Sequence, residues 1–279
     1  MHIDILYNIL ILSGINIIIV LGLNLITGVT GQLSLGHAAF VSIGAYSSSI
    51  LMMSLGVPFG VALIAAFIIA GLVGGLFGIP ILRLHGDYFA IATLGFCEVV
   101  RVIMMNMKAT INGESQRLSL SLSNIPQHIS IPLVLILVVL AVLFMIRLEK
   151  SKFGLALRSI REDEIASQMM GINIARHKVL SFAIGSAFAG LGGALLASYI
   201  TAISPNDFGF TRSIELLCML VLGGMGSIVG VIAGTTILTA IPEVLRFASE
   251  YRMIMYGVVL IIMMVFRPKG LFGNIRVNV

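Results

Sequence analysis

Charge is scarce in this sequence. Of its 279 residues only 10% are Asp, Glu, Lys or Arg, 58% are hydrophobic, and the mean hydropathy is +1.10. A soluble domain carries roughly 25% charged residues, so that class is excluded and a polytopic membrane protein is expected. No Lys or Arg precedes Arg83. The start therefore lacks the basic region of a signal peptide, and the first apolar segment is read as a retained span. Cys97 and Cys218 lie isolated in apolar runs, where they pack and neither pair nor ligate metal. Dinucleotide and phosphate-loop fingerprints, HExxH and Cys/His metal spacings are missing as well. No catalytic, cofactor or metal residue is assigned, and any energy source has to be an ion gradient or another subunit. The net charge of +5 comes from basic residues beside apolar spans, a pattern of membrane topology and not of nucleic-acid binding.

What is abundant is apolar sequence in long runs. Candidate membrane helices cover residues 5–27, 37–55, 58–82, 87–107, 131–147, 178–198, 213–223, 228–246 and 252–266, judged against the ~20 residues that a span needs. The run 213–223 is too short to cross alone and ends in Gly223-Gly224-Met225-Gly226, which predicts a half-helix with an unwound turn. The fold class expected is an all-α polytopic membrane protein with about 8 to 10 transmembrane or half-helices in a single domain, 1–279.

Two Gly-rich breaks interrupt the runs, one around Gly28, Gly31, Gln32, Ser34 and His37, the other around Gly223, Gly224 and Gly226. Glycine permits positive φ and close backbone approach, and irregular backbone at membrane depth is tolerated only when buried or lining a water-filled cavity. Each break is a candidate pathway wall. The competing reading is tight helix packing through small residues, of the kind expected for Gly185 with Ala189 or Gly71 with Gly75. His37 beside its break is either a hydrogen-bonded packing residue or a proton relay.

One polar island, Arg147 to Lys178, holds seven basic residues against Glu149, Glu162, Asp163 and Glu164. The positive-inside rule assigns it to the cytoplasm. Fixing that side puts the N-terminus outside and the C-terminus inside, and the basic Arg83, Arg267, Lys269 and Arg276 then also fall in the cytoplasm. Within the island, residues 159–171 read as one short amphipathic helix with Ile160, Ile165, Met169 and Ile172 at near-helical spacing. It is either a helix in the lipid interface or a protein-docking element, and the acidic run 162–164 favours docking over an anionic lipid surface.

Glu98 and Arg101 lie three apart on one helical face near mid-span, an intramembrane ion pair that is either structural or a substrate contact. Glu215, Glu243 and Arg246 fall near predicted span ends and read as interfacial anchors.

Five segments taken in order resemble a known family: GLNLITGVTGQLSLGHAAFVSIGAY at 22–46, HGDYFAIATLGFCEVVR at 85–101, FGLALRSIREDEIASQMMGIN at 153–173, LLCMLVLGGMGSIVGVIAG at 216–234 and FRPKGLFG at 266–273. The chain resembles the permease subunits of bacterial ABC importers for branched-chain amino acids, of the M type. That resemblance implies an inner-membrane permease that works by alternating access with a homologous permease subunit, two cytoplasmic ATPase subunits that bind the ATP, and an extracytoplasmic substrate-binding protein. It also implies that residues 148–177 form a cytoplasmic coupling loop, with Arg161, Glu162, Asp163, Glu164, Ala166, Ser167 and Gly171 contacting the ATPase. Ala166, Ser167 and Gly171 match the small positions of the EAA-xxx-G pattern of such loops, while Ile165 replaces its acid. A Thr-Gly-Gly-x-x-Gly-Leu turn of similar permeases is replaced at 112–118, with Glu114 and Arg117 in place of glycines. A urea or short-chain amide importer and an ion-coupled secondary transporter are the alternatives.

Overall fold

The computed structural model describes residues 2–81, 84, 86–111, 114–117, 125–126, 129–244, 257 and 270. The first helix, α1 (His2–Leu23), continues without a break into a π-helical turn at Asn24–Val29. After an extended stretch come α2 (His37–Leu55), α3 (Phe59–Ile81) and α4 (Asp87–Asn106). A short antiparallel hairpin follows, β1 (Lys108–Ile111) with β2 (Glu114–Arg117), in which Lys108 faces Arg117. The rest is helical: α5 (Ile131–Lys150), α6 (Lys152–Glu162), α7 (Glu164–Met169), α8 (Ile174–Ile200), a 3₁₀ turn at Pro205–Phe208, α9 (Phe210–Gly223) and α10 (Ile228–Val244).

Six helical segments among the described residues are long and apolar enough to cross a membrane, at Leu6–Val29, His37–Leu55, Phe59–Pro80, Asp87–Asn106, Ile131–Lys150 and Ile174–Ile200. The 14 residues of α9 rise only about 21 Å, short of the ~30 Å hydrocarbon layer. The expected run 252–266, the basic residues Arg83, Arg246, Arg267, Lys269 and Arg276, the hairpin loop at Asn112 and Gly113 and the Glu243 side chain lie outside the description.

Helix α8 is the hub and packs on α1, α2 and α3. Small residues bring the backbones together. A Cβ on Gly44 would collide with the Gly190 backbone, one on Gly193 with the Val41 carbonyl, and one on Gly185 with the Gly22 carbonyl and Ile26. This is the packing expected where apolar side chains gain nothing from leaving lipid and van der Waals fit decides association. The outer faces of α3 and α5 carry exposed Ile64, Ile68, Leu72, Leu76, Leu135, Ile136 and Leu140, a surface suited to lipid or to another membrane helix.

Two expectations need correction. The first break starts later than the glycines suggest, because Thr27, Gly28 and Val29 remain helical in the π turn and the extended segment begins beyond Thr30. The island is two helices and not one: Asp163 is extended (φ −156°, ψ 114°) and its Oδ1 accepts from Ala166 N at 3.0 Å. A short acid that caps a following helix competes with continuation of the preceding one.

Candidate functional site

The two glycine breaks and the island, far apart in sequence, meet at one end of the bundle. At the buried Gly28 the carbonyl accepts from Arg161 Nη1 on α6. Asn24 in the π turn accepts through Oδ1 from Gly226 N at 2.8 Å. Gly226 has φ +86°, a left-handed conformation open to glycine at little cost, and Arg161 Nη1 and the Gly28 carbonyl both lie beside it. At Gly28 a side chain would overlap Asn24 Oδ1 and Gly226 N. Glycine is thus required by close approach at one break and by φ at the other. Gly224 is likewise left-handed (φ +110°), and Gly223 abuts the Gly230 carbonyl, closing α9 on α10.

Polar side chains tie this cluster to the hub. Thr30 Oγ1 and Ser181 Oγ are 2.6 Å apart, and Thr30 Oγ1 also donates to the Leu25 carbonyl at 2.8 Å. Between the breaks and the island lies a cavity of about 500 Å³, lined by Thr27, Thr30, Gly31, Arg161, Glu162 and Met225 among others. Gln32 and Ser34 are buried next to it in sequence, and Gln32 Oε1 and Ser34 Oγ have no partner among the described residues. His37 is 0% exposed, and its Nε2 donates to the Ile19 carbonyl at 3.1 Å. That bond fixes the ring in the core between α1 and α2, away from the cavity.

The island's charges are mostly engaged within the chain. Glu164 Oε1 accepts from the buried Lys178 Nζ at 2.5 Å, Glu149 Oε2 from Arg158 Nη2 at 2.8 Å, and Asp163 caps α7. Ser167, 1% exposed, turns inward and shares a 2.7 Å hydrogen bond with Ser159, so it staples α7 to α6. Large apolar side chains stand outward on α7 and just after it, beside the exposed Gln168: Ile165, Met169 and Met170 are 72%, 82% and 82% exposed. Ala166 is exposed among them, and Gly171 is left-handed (φ +81°) with open space where a Cβ would stand. The expected stripe of Ile160, Ile165, Met169 and Ile172 is therefore split, because Ile160 is 1% exposed and packs inward from α6.

The opposite end is built from side chains. Glu98 and Arg101 pair at 2.7 Å on α4, and Arg101 Nη1 also donates to Asn206 Oδ1 at 3.1 Å, which links the pair to the 3₁₀ turn. Sequence reasoning missed a second group there. Arg212 Nη1 donates to Glu215 Oε2 at 2.8 Å, Arg212 Nη2 to Asn16 Oδ1 at 2.7 Å, and Asn16 Nδ2 to Thr239 Oγ1 at 3.1 Å. Glu215 is no interfacial anchor, since its side chain is only 11% exposed and paired. The signal that was available is Asn16, an amide inside an apolar span, costly unless hydrogen-bonded. No group of three or more His, Cys, Asp or Glu is placed to hold a metal among the described residues.

Comparison with known proteins agrees with this architecture. Residues 5–264 match the family model described as "Branched-chain amino acid transport system / permease component". The chain is 38% identical over 285 residues to the high-affinity branched-chain amino acid transport system permease protein LivM of Escherichia coli (strain K12), and 37% identical over 285 residues to the LivM of Salmonella typhimurium. In both cases 90% of this chain is covered, and it spans 66% of the relative's length. To the permease protein LivH of Escherichia coli (strain K12) it is 29% identical over 280 residues, covering 90% of this chain and 89% of that one. No solved structure matches it.

Proposed function

Because this chain belongs to the family of permease components of branched-chain amino acid transport systems, we propose that it is a transmembrane permease subunit of an ABC importer that translocates leucine, isoleucine and valine across the bacterial inner membrane. In this reading it forms one permease domain, 1–279, and provides half of an alternating-access path. A homologous permease subunit supplies the other half, two cytoplasmic ATPase subunits bind and hydrolyse the ATP, and an extracytoplasmic binding protein delivers substrate. The island end faces the cytoplasm, as the positive-inside rule requires of its seven basic residues. That orientation puts the N-terminus outside and the C-terminus inside.

The observation that carries the reading is Arg161 on the Gly28 carbonyl beside Gly226. Residues 148–177 form the coupling loop, with the exposed Ile165, Ala166 and Met169 of α7 and the following Met170 entering an apolar cleft on the ATPase. Glu162 orients the contact from its exposed position. Asp163, Glu164 and Ser167 hold α7 in shape, and the left-handed Gly171 turns the chain back toward α8. A tilt of α7 moves α6, and through Arg161 it moves both glycine breaks at once. Gly28, Gly31, Gln32, Ser34, Gly223, Gly224 and Gly226 then form the mobile cytoplasmic-side wall of the path, and His37 anchors its base.

The test is uptake of labelled leucine by proteoliposomes holding this chain with its permease and ATPase partners plus binding protein, with unlabelled urea as competitor. ATP-dependent uptake indifferent to urea is expected. Uptake blocked by urea would assign the machine to another cargo, and uptake abolished only by collapsing an ion gradient would overturn the importer reading.

A further inference from the structure

The end of the bundle opposite the island contains a cavity of about 410 Å³, walled by α1, the end of α8, the 3₁₀ turn and α9, with Thr239 and Pro242 of α10. Its lining combines polar Arg212, Glu215, Asn16 and Asp207 with apolar Leu12, Leu196, Ile203 and Met219. We propose that this cavity is a transient station for a free α-amino acid with an aliphatic side chain, held as the zwitterion between Arg212 and the carboxylates of Glu215 and Asp207. The proposal rests on the importer reading above and deepens it by locating the substrate.

The donor and acceptor inventory supports the assignment. A guanidinium has five N–H donors in a planar fork. Arg212 directs one to Glu215 and one to Asn16, and the remaining three have no partner among the described residues. Those three suit a carboxylate. Glu215 accepts through Oε2, and its Oε1 has no partner among the described residues; Asp207 accepts from Ser204 N through Oδ2 and is exposed to the cavity. These oxygens suit an ammonium group. Arg212 and Glu215 are 18% and 11% exposed, so both are largely desolvated already and little water has to be displaced. Asn16, locked by Thr239 on α10, keeps the guanidinium from swinging away.

The ligand carboxylate adds to the three unused Arg212 donors and its ammonium to Glu215 Oε1 and Asp207, while the Arg212–Glu215 pair at 2.8 Å stays in place. The aliphatic side chain of the ligand then meets the apolar lining residues, where one methylene is worth about 10- to 200-fold, or about 1–3 kcal/mol.

The experiment uses the complex of this chain with its permease and ATPase partners in lipid nanodiscs, without binding protein, and the diazirine amino acid photo-leucine as probe. Irradiation followed by peptide mapping is expected to place the label on α1 near Leu12 or on α9 near Met219. Leucine should displace it, while leucinamide, which lacks the carboxylate, and 4-methylpentanoate, which lacks the ammonium, should compete at least about tenfold more weakly, the scale of one charged hydrogen-bond partner. Arg212→Gln should reduce labelling by a similar factor. The analogue series needs no variant, so it stands even if Arg212→Gln fails to assemble. Label outside the cavity, or analogues that compete as well as leucine, would overturn the station. ATP-dependent leucine uptake by the same complex with binding protein separates the two claims: uptake without cavity label removes the station alone, and absence of uptake removes the importer reading and the station with it.

Discussion

At the island end an arginine reaches a backbone carbonyl wedged between glycines, whereas at the opposite end an arginine reaches side chains around a cavity. Arg161 and Gly28 belong to segments 133 positions apart, joined where no side chain fits between Gly28 and Gly226. Arg212 is joined to Glu215 and Asn16 with donors to spare. In the proposed reading, movement of α6 reaches both breaks through the Arg161 contact, and the spare donors of Arg212 receive the carboxylate of a small ligand. On that reading the basic side chains at the two ends serve different tasks, one in transmission and one in recognition.

The largest effect that would break the comparison belongs to Gly28. Gly28→Val should prevent stable folding, because its Cβ would overlap Asn24 Oδ1 and Gly226 N and overpacking costs about 1–3 kcal/mol even where neighbours adjust; the yield of monodisperse protein in detergent measures it. Arg161→Ala should leave folding and ATPase binding in place and uncouple the machine. ATP hydrolysis should continue while leucine uptake falls by roughly tenfold or more, as expected for a lost charged hydrogen bond of about 1.5–3 kcal/mol. Uptake equal to wild type would show that the two breaks move without the island.

Gly171→Leu should weaken co-purification of the ATPase by roughly tenfold with membrane insertion unchanged. The left-handed φ of +81° costs a branched or bulky residue about 1–2 kcal/mol, and the new side chain would project into the open space beside α7. Retained association at wild-type levels would remove this turn from the docking surface. The smallest effect is expected for Glu98 and Arg101. Their side chains are 36% and 32% exposed, so a double-mutant cycle in thermal unfolding should give a coupling of about 1 kcal/mol or less. Additive losses with no coupling would contradict a structural pair, and a larger coupling would move the pair toward the recognition task.

Much of the helical layout was legible in the amino-acid order. The runs 37–55 and 131–147 appear as α2 and α5 with starts that agree and ends within a turn, because ~20 apolar residues in lipid have few alternatives to a helix. The short run ending at Gly223 is a 14-residue helix. The island was harder. Its apolar spacing is continuous through Asp163, and only the cap on Ala166 N, a local choice that composition does not reveal, divides it and rotates Ile160 inward while leaving Ile165 exposed. The hairpin at 108–117 was hidden because its strands are four residues each, too short for an alternating pattern to stand out.

Composition and run length by themselves determined a membrane protein of many apolar helices with one basic island, since the cost of leaving backbone polar groups and charges in lipid is set residue by residue. That the two glycine breaks meet at Asn24, that Arg161 bonds one and lies beside the other, and that Arg212, Asn16 and Thr239 from three helices converge on one cavity was decided only by tertiary structure. Close backbone approach and hydrogen bonds between segments up to 223 positions apart depend on how α8 draws its neighbours together, and no local spacing encodes that distance.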